Sequence, residues 1–119
     1  MIEILEMPAD YIVGIKVSGK IEKDDILPLI DYMKPKFDDH SKLSVYVEVE
    51  SWEGITVSAL WEDLKFGLPH LKAIHKKAVV TDRQWLSRVT EWADMLFPGI
   101  KAEPFGLQQK DQAIHWLMD

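Results

Sequence analysis

A chain of 119 residues has room for one domain and one core, and its 47% hydrophobic and 29% charged residues exclude wholesale disorder. The absence of cysteine excludes disulfides, thiolate nucleophiles and Cys-ligated metals. A formal net charge of −6 argues against nucleic acid as the main partner, because phosphate binding needs a basic surface.

The N-terminus opens on Met1-Ile2-Glu3-Ile4-Leu5-Glu6, an alternation of apolar and acidic residues that predicts a half-buried strand rather than a signal peptide. Met7 to Asp10 reads as a short turn. Tyr11 to Ser18 follows as a second strand, pairing with the first as an antiparallel hairpin. Ile26, Ile30, Met33 and Phe37 recur at helical spacing and predict a helix from about Glu22 to Asp38, with Pro35 expected to bend or loosen its last turn. Leu43 to Val49 is a strand rich in β-branched residues, and Ser51 to Gly54 a turn.

A helix is expected over 57–71, interrupted by Gly67 and Pro69, and a short buried strand over 77–81. The helix over 83–97 carries the clearest stripe, with Trp85, Leu86, Val89, Trp92, Ala93, Leu96 and Phe97 on one side, and Pro98-Gly99 ends it. Ile100 to Phe105 reads as a last strand and Asp111 to Met118 as a last helix. After the hairpin every strand is followed by a helix, and right-handed crossovers then require a mostly parallel sheet. The expected fold is α/β: one domain over 1–119, a mostly parallel sheet of about five strands with an antiparallel N-terminal hairpin, and about four helices.

The second half carries a resemblance. The segments Ala59-Leu60-Trp61-Glu62-Asp63-Leu64-Lys65-Phe66-Gly67-Leu68 and Ala78-Val79-Val80-Thr81-Asp82-Arg83-Gln84-Trp85-Leu86, then Leu96-Phe97-Pro98 and Ala113-Ile114-His115-Trp116-Leu117, resemble the SpoIIAA-like family of bacterial STAS-like proteins. The resemblance implies a sheet with an antiparallel first strand and helices packed over it. STAS domains act as partner-binding switches and nucleotide sensors, and their fold is loosely similar to that of the CRAL-TRIO lipid carriers. Neither likeness fixes a function.

Several groups of residues are candidates for one. Trp61, Leu64, Leu68, Trp85, Val89 and Trp92 fall on matching apolar stripes of the 57–71 and 83–97 helices. They read either as ordinary core or as the lining of an apolar pocket under both helices. Gly67 and Pro69 either end a kinked helix early or form a hinge that lets the pair lift off the sheet. Between Lys65 and Arg88 there are six basic residues against one acid, Asp82. Of these, Lys72, Lys76, Lys77, Arg83 and Arg88 form a candidate membrane-facing set, unless they are merely solvated.

Ser51, Thr56 and Ser58 occupy the region where anti-sigma-factor antagonists carry a phosphorylatable serine, although the motif itself is absent. Thr56 also suits a helix cap. None of His40, His70, His75 and His115 stands at the i, i+4 spacing of a helical metal pair, and no Gly-rich phosphate loop or nucleophile elbow occurs.

The sequence therefore predicts a cytoplasmic, non-enzymatic binding protein without metal or cofactor. Its expected ligand is an apolar small molecule or lipid, with weak association to a membrane surface. The alternative is a regulatory protein-interaction module resembling the anti-sigma-factor antagonists and controlled by phosphorylation.

Overall fold

Seven consecutive buried residues, Leu43–Val49, put β3 at the centre of a five-stranded sheet. The structure is a computed structural model and describes residues 1–40, 42–54, 74–82, 84–88, 91 and 102–119. The strands are β1 (Ile2–Leu5), β2 (Ile12–Val17), β3, β4 (Ile74–Val80) and β5 (Glu103–Phe105), and their spatial order is their chain order. β1 pairs antiparallel with β2, and every later pair is parallel. A central parallel strand is covered on both faces, so Ser44, Tyr46 and Glu48 on one side are buried along with the valines on the other.

One face of the sheet carries α1 (Lys23–Asp39). Ile26, Leu29, Ile30, Met33 and Phe37 form its buried stripe and pack on Val13, Ile15, Val17, Val45, Val47 and Val79. The Asp25 carboxylate accepts a hydrogen bond from the Glu22 N–H at 2.9 Å, and Asp24 and Asp25 face the positive end of the helix dipole. The helix continues through Pro28 and Pro35 to Asp39, so Pro35 does not end it. Both prolines lie on the exposed side, where water can take the carbonyl that a missing N–H leaves free.

The opposite face carries α2 (Lys110–Met118), preceded by a single 3-10 turn, η1 (Leu107–Gln109). Ala113 and Leu117 pack on Ile12, Tyr46, Ala78 and Val80, and Phe105 meets Trp116 with ring centroids 5.9 Å apart. Two helical layers therefore sandwich the sheet, as an α/β domain requires. Met7 lies over Gly14 so closely that a Cβ there would fall 2.6 Å from the Met7 Cε, and glycine makes room for that packing.

The start of β4 and its register differ from expectation. β4 begins at Ile74 rather than Lys77, because Ile74 and Lys76 pair with β3, with His75 as the extra residue between them. The pairing slips between Leu43 and Ser44, so that Leu43 faces Ile74 and Ser44 faces Lys76. Among the described residues the helical elements seen whole are α1, η1 and α2, against about four helices expected over the chain. Residues 86–88 are helical where the 83–97 helix was placed. The segment 57–71 lies outside the described residues.

At the β5 edge the Phe105 carbonyl accepts the Thr81 N–H at 3.0 Å. Backbone groups alternate sides along a strand, so Pro104 points its backbone away from β4.

Candidate functional site

In an open, mostly parallel sheet ligands bind outside the carboxyl ends of the strands, and here those ends bring together Gly19, Ser51, Thr81 and Gly106. A cleft of about 280 Å³ opens beside β4 and β5, lined by Thr81, Leu86, Pro104, Phe105, Gly106 and Gln109. Its polar groups are engaged with one another and with the sheet. The Thr81 hydroxyl donates to the Val49 carbonyl at 3.3 Å, the Gly106 N–H to Gln109 Oε1 at 2.8 Å, and Gln109 Nε2 to Gln112 Oε1 at 2.9 Å. Leu86, Pro104 and Phe105 give the cleft its apolar surface. The volume lies just under the roughly 300–1,000 Å³ of ordinary small-molecule pockets, enough for one end of a slender apolar molecule.

Of the six residues expected to line an apolar pocket, Trp85 is described. It is half-buried and packs against the core on the α1 side of the sheet. Trp61, Leu64, Leu68, Val89 and Trp92 lie outside the described residues, as do Gly67 and Pro69 of the expected hinge. Trp52 joins that core at 8% exposure, although the sequence pattern assigned it to a turn. A large indole directly after the central strand was the signal available, because a solvated turn has little use for one. The cleft residues Pro104, Phe105 and Gln109 carried no such signal.

The basic set does not form one surface. Lys77 is a correction: it stands opposite Val45 in the ladder with 0% exposure, so its side chain belongs to the interior and not to a membrane-facing patch. Strand alternation turns it to the same side as Val79, toward the core under α1. Lys76 is folded against the protein, its ammonium donating to the Trp116 carbonyl at 2.8 Å and lying 5.1 Å from the centre of the indole. Arg88 is exposed, and Lys72 and Arg83 lie outside the described residues.

Ser51 is a structural acceptor. Its hydroxyl takes the Gly19 N–H at 2.9 Å, and Gly19 has φ +65°, a conformation that glycine adopts without strain. Glu50 and Glu53 flank it in sequence, so a phosphate on Ser51 would meet like charges. Thr56 and Ser58 lie outside the described residues. Replacing Ser51 with alanine should leave the part-buried Gly19 N–H without its acceptor and cost about 1 kcal/mol. Urea denaturation of Ser51→Ala checks this, and unchanged stability would show that water replaces the hydroxyl without loss.

Asp10 ties the β1–β2 turn to the end of α1. His40 Nε2 lies 3.0 Å from its Oδ2, and Lys36 Nζ reaches Oδ1 at 3.1 Å and the backbone carbonyl at 2.7 Å. The His40 hydrogen bond first, then Lys36, hold the Asp10 carboxyl below its ordinary value. No group of three or more His, Cys, Asp or Glu among the described residues could hold a metal ion. No helix among them is long and apolar enough to cross a membrane.

An antiparallel hairpin feeding a parallel sheet, with helices on both faces, is consistent with a STAS-like module. The family model described as SpoIIAA-like matches residues 12–118, and the chain belongs to that family. Among solved structures it is similar to an uncharacterized protein from the DUF3478 family with a SpoIIAA-like fold from Shewanella loihica PV-4. The TM-score is 0.63 at 24% identity, covering 98% of this chain and 92% of that one, a likeness of fold. No curated protein matches the chain in sequence.

Proposed function

We propose that this SpoIIAA-like domain is a non-enzymatic binding module for an apolar small molecule or lipid, taken up at the carboxyl ends of β4 and β5 and extending under the 57–71 and 83–97 segments. The observation that supports it is the cleft itself. At the end of the sheet where α/β domains hold ligands, the polar groups of Thr81, Gly106 and Gln109 are already engaged, and Leu86, Pro104 and Phe105 offer apolar surface. Trp85 packs against the α1-side core and is not among the residues that line the cleft. Membrane-surface contact is left out of the reading, because Lys77 is interior and Lys76 is bound to Trp116.

Mass spectrometry of an organic extract from the purified chain, paired with titration of its tryptophan fluorescence by decanoate, tests the reading. A co-purified apolar molecule, or a saturable fluorescence change that Phe105→Ala weakens by about fivefold or more, supports it. An empty extract with no saturable change removes it.

A further inference from the structure

The opposite end of the same strands holds a second cleft. It measures about 340 Å³ and is walled by Tyr11, His40, Lys42, Ser44, His75 and the end of α2. Its floor is Ser44, near the start of β3, which is 2% exposed yet faces the cleft. No described residue hydrogen-bonds its hydroxyl, although the Ser44 backbone N–H is taken by the Tyr11 carbonyl at 2.9 Å. Buried polar groups are almost always partnered, so a serine hydroxyl turned unpaired into a cleft points to something that enters it.

The walls say what enters. Lys42 and His75 stand exposed at the rim, and His40 contributes a second imidazole whose Nε2 is engaged by Asp10. Lys42 is the cation in the lining and Asp119 the acid, and the imidazoles add ring nitrogens that can hydrogen-bond a ligand. Leu117 and Met118 add an apolar side, held in place where the Tyr11 hydroxyl donates to the Met118 carbonyl at 3.3 Å. The Lys42 ammonium and imidazole nitrogens over a buried hydroxyl suit an oxyanion, and the apolar side suits a carbon body attached to it.

We propose that this amino-end cleft binds a small organic oxyanion, a carboxylate or phosphate monoester with a short apolar body, through Lys42, His75 and the Ser44 hydroxyl. The site is separate from the carboxyl-end cleft and does not depend on it. The test is a titration of the full chain with benzoate, phenyl phosphate and inorganic phosphate, read on the histidine ring resonances by NMR. The expected result is a saturable shift of His40 and His75, with His115 unmoved, for benzoate or phenyl phosphate. The first of these names a carboxylate and the second a phosphate ester. Inorganic phosphate should bind at least about fivefold more weakly, and Lys42→Gln and Ser44→Ala should each weaken binding about threefold or more. Lys42 is exposed, so its variant folds even if the serine variant does not. Shifts that stay linear with both organic probes, equal affinity for inorganic phosphate, or unaltered binding by Lys42→Gln would overturn the proposal.

Discussion

Replacing Met33 with alanine should lower the unfolding free energy by about 2–5 kcal/mol. Met33 is fully buried at the middle of the α1 stripe, between Leu29, Ile30 and Phe37 and the valines of β2 and β3. Truncation removes its transfer energy and leaves a cavity that a sheet on one side and a helix on the other close only in part. Against a total stability of about 5–15 kcal/mol for a domain of this size, that is a large fraction. Urea unfolding followed by circular dichroism gives the value, with the m-value unchanged if the transition stays two-state. A loss below about 1 kcal/mol would mean that α1 does not seat on the sheet as described.

Tyr46→Phe should cost about 1–3 kcal/mol at neutral pH, although it removes one oxygen. The Tyr46 hydroxyl donates to Glu48 Oε1 at 2.9 Å in the core under α2, and Glu48 is 8% exposed. Without that donor the carboxylate keeps Lys110, at 3.3 Å on Oε2. Burial first, and then the neighbouring Glu48, raise the Tyr46 phenol above its ordinary value of 10. Its contribution to stability is therefore present below about pH 10 and fades as the pH rises beyond it, where the unfolded chain ionises and the folded one resists. Denaturation at pH 8 and at pH 11 separates the two effects. The wild type should lose more stability across that interval than Tyr46→Phe, and parallel losses would show that Tyr46 does not govern the alkaline limb.

The architecture was legible because period and pattern agree in most elements. Leu43–Val49 alternates β-branched residues between turn letters, and the structure returns that strand with the same limits. The hairpin of β1 and β2 followed from two alternating runs four to six residues apart. Polar letters hid the rest. Ile74-His75-Lys76 fell outside the strand expected over 77–81, because a strand that begins against the C-terminal end of α2 can carry a lysine whose ammonium finds a backbone carbonyl. Lys77 read as surface because nothing in one sequence distinguishes an interior lysine from a solvated one. The candidate site was less legible for a physical reason. Trp85 announces itself by size, whereas Ser44 and Phe105 matter through what surrounds them, and those neighbours come from strands and helices far apart in the chain.

Pro104 removes a donor from the β5 edge of this sheet. A foreign strand laid along β5 would find no N–H at the centre of the edge, because the residue whose backbone points outward there has none to give. β1, in contrast, pairs with β2 on one side and with no other strand among the described residues, carries no proline, and keeps Ile4 partly open to water. Among the described strands, a further strand would therefore find backbone donors more readily along β1 than along β5.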